Sequence, residues 1–278
     1  MLLNKYILDD LIERAIKEDL GYGDITTDNL IAEDAEKKAV IKIKEDGVVA
    51  GLEIARSVFN KYDSSLKFSG LVVEGSRIKA GSILAEITGS TRSILKAERL
   101  ALNFLQRLSG IATKSREFVE LVKDYPAQIV DTRKTTPTLR MLEKYAVKVG
   151  GAKNHRMGLY DTVMIKDNHL KAAGSIKNAV EKIKKNISHT TKIELEIDDL
   201  ALLEEVLEAE VDIILLDNMS SEELQKAVQI VSGRAILEAS GGITKENAVE
   251  IAASGVDIIS VGALTHQINS IDIALDLE

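Results

Sequence analysis

The chain has no cysteine and no tryptophan, and aromatic residues make up only 4% of its 278 residues. Without thiols there is no disulfide, no thiolate nucleophile and no Cys-type zinc or iron-sulfur site, which fits a reducing compartment. No apolar run is long enough to span a bilayer. The longest uncharged stretch, Ile258 to Ile271, has 14 residues and includes polar groups, against roughly 20 for a membrane-crossing helix. An excess of positive charge is missing too: the formal net charge is -8. With so few rings, this argues against nucleic acid as a partner, which calls for a basic face and stacking side chains. Asp9, Asp10, Glu13, Glu18 and Asp19 interrupt the apolar residues of Met1 to Leu20. That segment is expected to form an amphipathic helix rather than a signal peptide, and the protein to be cytoplasmic.

What the chain does have is a 45% hydrophobic content, enough for a large core, and one local reversal of its charge. Between Asp131 and His169 lie eight Lys/Arg against four Asp/Glu, with two of the four histidines. Several of these cations end short apolar segments, as in Ile129-Val130-Asp131-Thr132-Arg133-Lys134 and Val163-Met164-Ile165-Lys166. Placed so, they point to a cationic pocket for a small anionic ligand.

The first half reads as a compact α+β domain over 1–110. Ile7, Leu8, Leu11, Ile12, Ala15 and Ile16 follow helical spacing as far as the Gly21-Tyr22-Gly23 turn; Ala39–Lys44 alternates like a strand; Gly51–Tyr62 looks helical; Leu66–Ile87 reads as short strands. A helix from Thr91 is expected to end at Ser109-Gly110, where a second helix, Ile111–Lys123, begins.

Over 111–264 apolar strands alternate with amphipathic helices, the pattern of βα units and a parallel sheet. Seven strands are expected: Gln128–Val130, Ala146–Val149, Thr162–Ile165, Ile193–Ile197, Val211–Leu216, Ala235–Leu237 and Val256–Val261. The last four end in Glu196, Asp217, Ser240 and Val261, at intervals of 21, 23 and 21 residues, about one βα unit each. Ligands gather at the carboxyl ends of such strands, and the glycines after the last two, Gly241-Gly242 and Gly262, sit where barrels commonly hold a phosphate. Residues 265–278 are expected to return to the first domain.

Arg suits bidentate capture of carboxylate or phosphate, and Lys supplies a compact charge, so Arg133 with Lys134, and His155 with Arg156, are candidate anion ligands. Solvated strand ends and a satisfied packing histidine are the plain alternatives. Lys166 closes a buried-looking strand, where it could pair with Glu196 or Asp217, bind an anion, or form a Schiff base as in barrel aldolases. The two carboxylates could hold Mg²⁺ or accept sugar hydroxyls; zinc is disfavoured because no histidine pair has ligand spacing.

Six segments carry a family resemblance: Asp131-Thr-Arg-Lys-Thr-Thr-Pro137, Gly150-Gly-Ala-Lys-Asn-His-Arg-Met-Gly-Leu-Tyr-Asp161, Ile165-Lys-Asp-Asn-His169, Leu216-Asp-Asn218, Glu238-Ala-Ser-Gly-Gly-Ile243 and Ser260-Val-Gly-Ala-Leu-Thr265. With Glu18-Asp-Leu-Gly-Tyr-Gly-Asp-Ile-Thr-Thr27 and Ala97-Glu-Arg-Leu-Ala-Leu-Asn-Phe104, the chain resembles the quinolinate phosphoribosyltransferases over nearly its whole length. The resemblance implies an α/β sandwich-like N-terminal domain followed by an incomplete, seven-stranded α/β barrel. It implies transfer of phosphoribose from phosphoribosyl pyrophosphate (PRPP) to quinolinate, giving nicotinate mononucleotide, pyrophosphate and CO₂, with Mg²⁺.

Carried onto this chain, Arg133, His155, Arg156 and Lys166, with Thr132, would surround quinolinate, and Arg99 would reach the site from a partner subunit, implying at least a homodimer and leaving a hexamer open. Lys134 and Lys166 would meet PRPP phosphates, Glu196 and Asp217 the ribose and Mg²⁺, and Ser240, Gly241, Gly242, Val261, Gly262 and Ala263 the 5′-phosphate, with His266 nearby. Thr138 and Ala152 stand where relatives commonly carry glycine, which puts the local loop shape in question. The rival expectations are a paralogous phosphoribosyltransferase acting on another anionic base, a Schiff-base aldolase using Lys166, and a non-catalytic anion-binding protein.

Overall fold

In the computed structural model, residues 4–278 are described. Any part the first three residues play in the N-terminal helix lies outside them. Two compact units emerge: one contains the chain up to Arg116 with Met141–Gly151 and Ile268–Glu278, the other Glu117–Arg140 and Ala152–Gln267.

The first unit opens with α1 (Lys5–Leu20), capped by the Asn4 side chain and burying Leu8, Leu11 and Ile12, and α2 (Ile25–Leu30), capped by Asp24. Then follow β1 (Glu36–Ile43), β2 (Gly47–Val48), α3 (Leu52–Tyr62), β3 (Lys67–Gly70), β4 (Arg77–Ile78) and β5 (Ile83–Ser90). The sheet runs antiparallel: β5 lies between β1 and β3, and the C-terminal strand Ile273–Leu277 pairs with the other edge of β1. Val40, Ile43, Leu84 and Ile87 of the sheet are buried, as are Ile54, Val58 and Phe59 of α3.

From Thr91 to Leu121 the chain is one helix of 31 residues, α4. The break expected at Ser109-Gly110 does not occur. Gly110 serves a close approach instead, since a Cβ there would lie 2.1 Å from the carbonyl oxygen of Asn269.

In the second unit β6 (Gln128–Val130) is followed by α5 (Arg140–Val149), most of which clusters with the first unit. The strand expected at Ala146–Val149 is therefore the end of a helix. Its apolar run continues the helical stripe of Met141 and Leu142, both buried with Ala146 and Val147. The rest alternates: β7 (Val163–Ile165), α6 (Asp167–Ala173), α7 (Ile176–Lys184), β8 (Ile193–Ile197), α8 (Leu203–Glu208), β9 (Ile213–Asp217), α9 (Ser221–Val231), β10 (Ile236–Ser240), α10 (Ala248–Ala253), β11 (Ile258–Ser260), α11 (Ala263–His266) and β12 (Ile273–Leu277), the C-terminal strand already placed.

The six strands β6 to β11 form an all-parallel sheet in the order β6-β11-β10-β9-β8-β7. Beyond β6, a single parallel bridge joins Val130 to Lys153, where a seventh strand would stand. The architecture is an incomplete α/β barrel. All its strands point their carboxyl ends the same way, so Lys166, Glu196, Asp217 and Ser240 emerge at one mouth.

Candidate active site

At that mouth lies a cavity of about 400 Å³. Its wall carries Arg133, Lys134, Arg156 and Lys166 as cations, Glu196 and Asp217 as carboxylates, and Ser240 and Ser260 as hydroxyls. Residues two apart on a strand face the same way, so the lining comes in tiers: Met164 below Lys166, Leu215 below Asp217, Glu238 below Ser240.

Each cation is placed by its own local structure. The β6 strand is followed by Asp131, fully buried, whose carboxylate accepts the His155 backbone N–H at 2.9 Å and the Asn154 side-chain amide at 2.6 Å. This fixes the loop carrying His155 and Arg156. Arg140 donates to Thr135 Oγ1 at 2.9 Å and to the Met157 carbonyl at 3.0 Å, tying the two cationic segments together. The Lys134 carbonyl accepts the Thr265 hydroxyl at 2.7 Å, anchoring that loop beside the segment of Gly262 and His266.

Arg133 and Arg156 have no carboxylate within ion-pair distance among the described residues, and the Nε of Arg133 is buried without a protein acceptor. A Nη of Arg156 meets only the Met164 sulfur, at 3.3 Å, a weak acceptor. Burial, then the nearby Arg133 charge, holds the Arg156 guanidinium below the usual arginine range. Two crowded guanidiniums with unused donors suit a ligand with more than one negative group.

Lys166 is hydrogen-bonded to Glu196, so its ammonium already has a carboxylate partner. The Asp217 carboxylate accepts from the Asn218 side chain at 2.8 Å. Asn218 has φ 56° and donates its backbone N–H to the Ser240 carbonyl at 2.8 Å, which locks its place. The Gly241-Gly242 turn has positive φ at both residues, and a Cβ on Gly241 would fall 2.2 Å from Asn218 Oδ1. Only glycine lets the turn pass that close.

His155 lies deeper. Its Nε2 is 3.2 Å from Glu194 and 3.3 Å from Glu238, two carboxylates only 1% exposed, and its Nδ1 is 2.8 Å from the Arg156 backbone nitrogen. Burial raises the Glu194 carboxyl above the usual range, with the His155 hydrogen bond opposing it.

The structure thus brings Thr132, Arg133, Lys134, His155, Arg156, Lys166, Glu196, Asp217 and Ser240 into one cavity wall. Gly241 and Gly242 continue directly from Ser240, and the chain Val261-Gly262-Ala263 follows Ser260, another lining residue. A Cβ on Gly262 would lie 3.2 Å from the His266 ring. Arg99 belongs to the first unit, on α4, with its side chain 61% exposed. Glu194, Glu238, Asp131 and Asn218 were not among the expected site residues. Glu194 and Glu238 each stand two positions before one that was, so strand alternation was the signal that could have found them.

Profiles of the quinolinate phosphoribosyl transferase N-terminal and C-terminal domains match residues 24–109 and 111–276. The chain belongs to the quinolinate phosphoribosyltransferase family. It is 41% identical over 98% of its length to a Synechocystis protein named probable nicotinate-nucleotide pyrophosphorylase (carboxylating), covering 92% of that protein. A Methanocaldococcus jannaschii protein of the same name is also 41% identical, with 99% of each chain covered. Among solved structures, NadC from Streptococcus pyogenes superposes with a TM-score of 0.96 at 39% identity, covering 100% of this chain and 99% of that one.

Proposed function

We propose that the protein transfers phosphoribose from PRPP to quinolinate and decarboxylates the product, yielding nicotinate mononucleotide, pyrophosphate and CO₂ for NAD synthesis. The observation that carries this reading is the pair Arg133 and Arg156, which among the described residues have no carboxylate within ion-pair distance, lining one cavity with Glu196 and Asp217. Quinolinate supplies two carboxylates for the guanidiniums. The carboxylates of the cavity suit the ribose hydroxyls and the positive charge that develops at C1.

In this reading the pyridine nitrogen attacks C1 of the ribose as pyrophosphate leaves. Lys134 and Lys166 offset the phosphate charge, and the Gly241-Gly242 and Gly262 backbone receives the 5′-phosphate. Loss of CO₂ from the carbon beside the alkylated nitrogen leaves an electron pair that the pyridinium stabilises, and a proton completes the product. The ring is its own electron sink, and no protein nucleophile is required.

Glu196 and Asp217 offer the hard oxygen donors that Mg²⁺ prefers; with diphosphate oxygens and water they would hold it, and it would neutralise the departing pyrophosphate. We also propose a cytoplasmic enzyme that works as a homodimer or larger, with Arg99 supplied by the neighbouring subunit. The exposure of the Arg99 side chain supports that role.

Incubation with PRPP and Mg²⁺, once with quinolinate and once with nicotinate, tests the substrate. Pyrophosphate release with quinolinate alone supports the proposal, and turnover of nicotinate alone would replace it with the paralogous reading. The Lys166–Glu196 pair speaks against a Schiff-base lysine, which must be a neutral amine to attack. Borohydride is accordingly expected to trap no substrate.

A further inference from the structure

Glu194 and Glu238 have no task in the chemistry above, yet both are buried and both reach the same nitrogen of His155. Burying two carboxylates side by side is costly unless a positive charge lies between them. The ring they grip adjoins Arg156, at the centre of the cationic wall.

We propose that Glu194 and Glu238 are positioning residues for quinolinate: they hold His155 as an imidazolium, whose charge adds to the cationic wall that receives the anionic substrate. The proposal rests on the functional reading above.

Two demands compete at this ring. The Arg156 amide, 2.8 Å from Nδ1, favours a neutral ring that accepts there. The two carboxylates at Nε2 favour a charged one. Nε2–H donates to the carboxylates in either state; protonation adds a cation between two buried negative charges, against the loss of one neutral hydrogen bond at Nδ1 worth about 0.5–1.5 kcal/mol. Burial acts to lower the affinity of His155 for its proton, but the hydrogen bonds and charges of Glu194 and Glu238 outweigh it and push the pKa up to about 10. The other charged groups around the ring are Asp131, which accepts the His155 backbone N–H, and Arg156, whose charge opposes protonation without overturning it. Protonation replaces a neutral ring with a cation, which attracts a carboxylate in the cavity that His155 lines.

The test is the pH dependence of KM for quinolinate in the full-length enzyme and in Glu238→Gln. His155 is charged below its raised pKa, so the parent is expected to show a flat KM from pH 6 to pH 9. Glutamine removes one stabilising charge, the ring then loses its proton within that window, and KM for quinolinate rises about tenfold between pH 6 and 9 while KM for PRPP does not follow. A purely structural role would shift KM equally at every pH. Superimposable profiles for parent and variant would overturn the proposal while leaving the enzyme's function intact; a parent that turns over no quinolinate would overturn the functional reading itself.

Should Glu238→Gln fail to fold, long-range ¹⁵N–¹H correlation spectra of the parent at pH 8 decide the matter. Both nitrogens of His155 protonated is the expected result, and an unprotonated Nδ1 overturns the proposal. Stoichiometric zinc in the purified protein would also overturn it, by showing that a metal rather than a proton lies between the carboxylates.

Discussion

The Asp131 carboxylate accepts the backbone N–H of His155 at 2.9 Å, joining the end of one barrel strand to the loop that presents the second cationic pair. Asp131 is fully buried and also accepts from Asn154. Asp131→Ala strips both donors of their acceptor and should cost about 3 kcal/mol of stability, at the upper end for buried charged hydrogen bonds. Denaturant unfolding measures this. KM for quinolinate should rise in parallel, because the loop it frees carries Arg156.

Among the described residues Arg133 and Arg156 lend their donors to no carboxylate, so their removal should leave the fold intact and the chemistry crippled. Arg133→Ala and Arg156→Ala are each expected to lower kcat/KM for quinolinate by about a hundredfold or more, the loss of roughly 3 kcal/mol of charge-assisted binding, with unchanged circular dichroism. A folded variant with near-normal turnover would remove that arginine from the site.

Gly241 has φ +90° and no room for a Cβ beside Asn218. Gly241→Ala should therefore displace Asn218, and with it Asp217, whose carboxylate Asn218 holds. Both the phosphate turn and the ribose-facing carboxylate would shift, raising KM for PRPP and lowering kcat together. Steady-state kinetics with varied PRPP reads the effect.

Thr138, where the family resemblance implies glycine, sits at φ 68°, where a β-branched residue is strained. Relief of about 1–2 kcal/mol of left-handed strain outweighs the roughly 0.5–1 kcal/mol entropic cost of glycine. Thr138→Gly should thus raise the unfolding midpoint slightly, which differential scanning calorimetry would show. Ala152, the other departure, is buried and has ordinary backbone geometry, so no such gain is expected there.

The barrel strands were legible because a parallel sheet covered on both faces needs continuous apolar runs, as in Ile193–Ile197 and Val211–Leu216. Ala146–Val149 misled for the same reason: four residues of a buried helix stripe look like a short buried strand, and only the preceding turns distinguish them. Gly110 misled in the opposite direction. Its role is a contact with Asn269, 159 positions away in sequence, and no local pattern encodes that. At the site, charges at strand ends stood out against an acidic chain, so Arg133, Lys166, Glu196 and Asp217 could be read directly. Glu194 and Glu238 could not, because a carboxylate inside a strand reads as ordinary alternation until the strands are set around a common axis.

The central claim is that one cavity couples phosphoribosyl transfer to loss of the carboxylate beside the ring nitrogen. It is tested most directly with quinolinate carrying ¹³C in that carboxylate. PRPP-dependent release of labelled CO₂, equal in amount to the nicotinate mononucleotide formed, is the predicted result. Nucleotide that retains the label, or label released without PRPP, would contradict it.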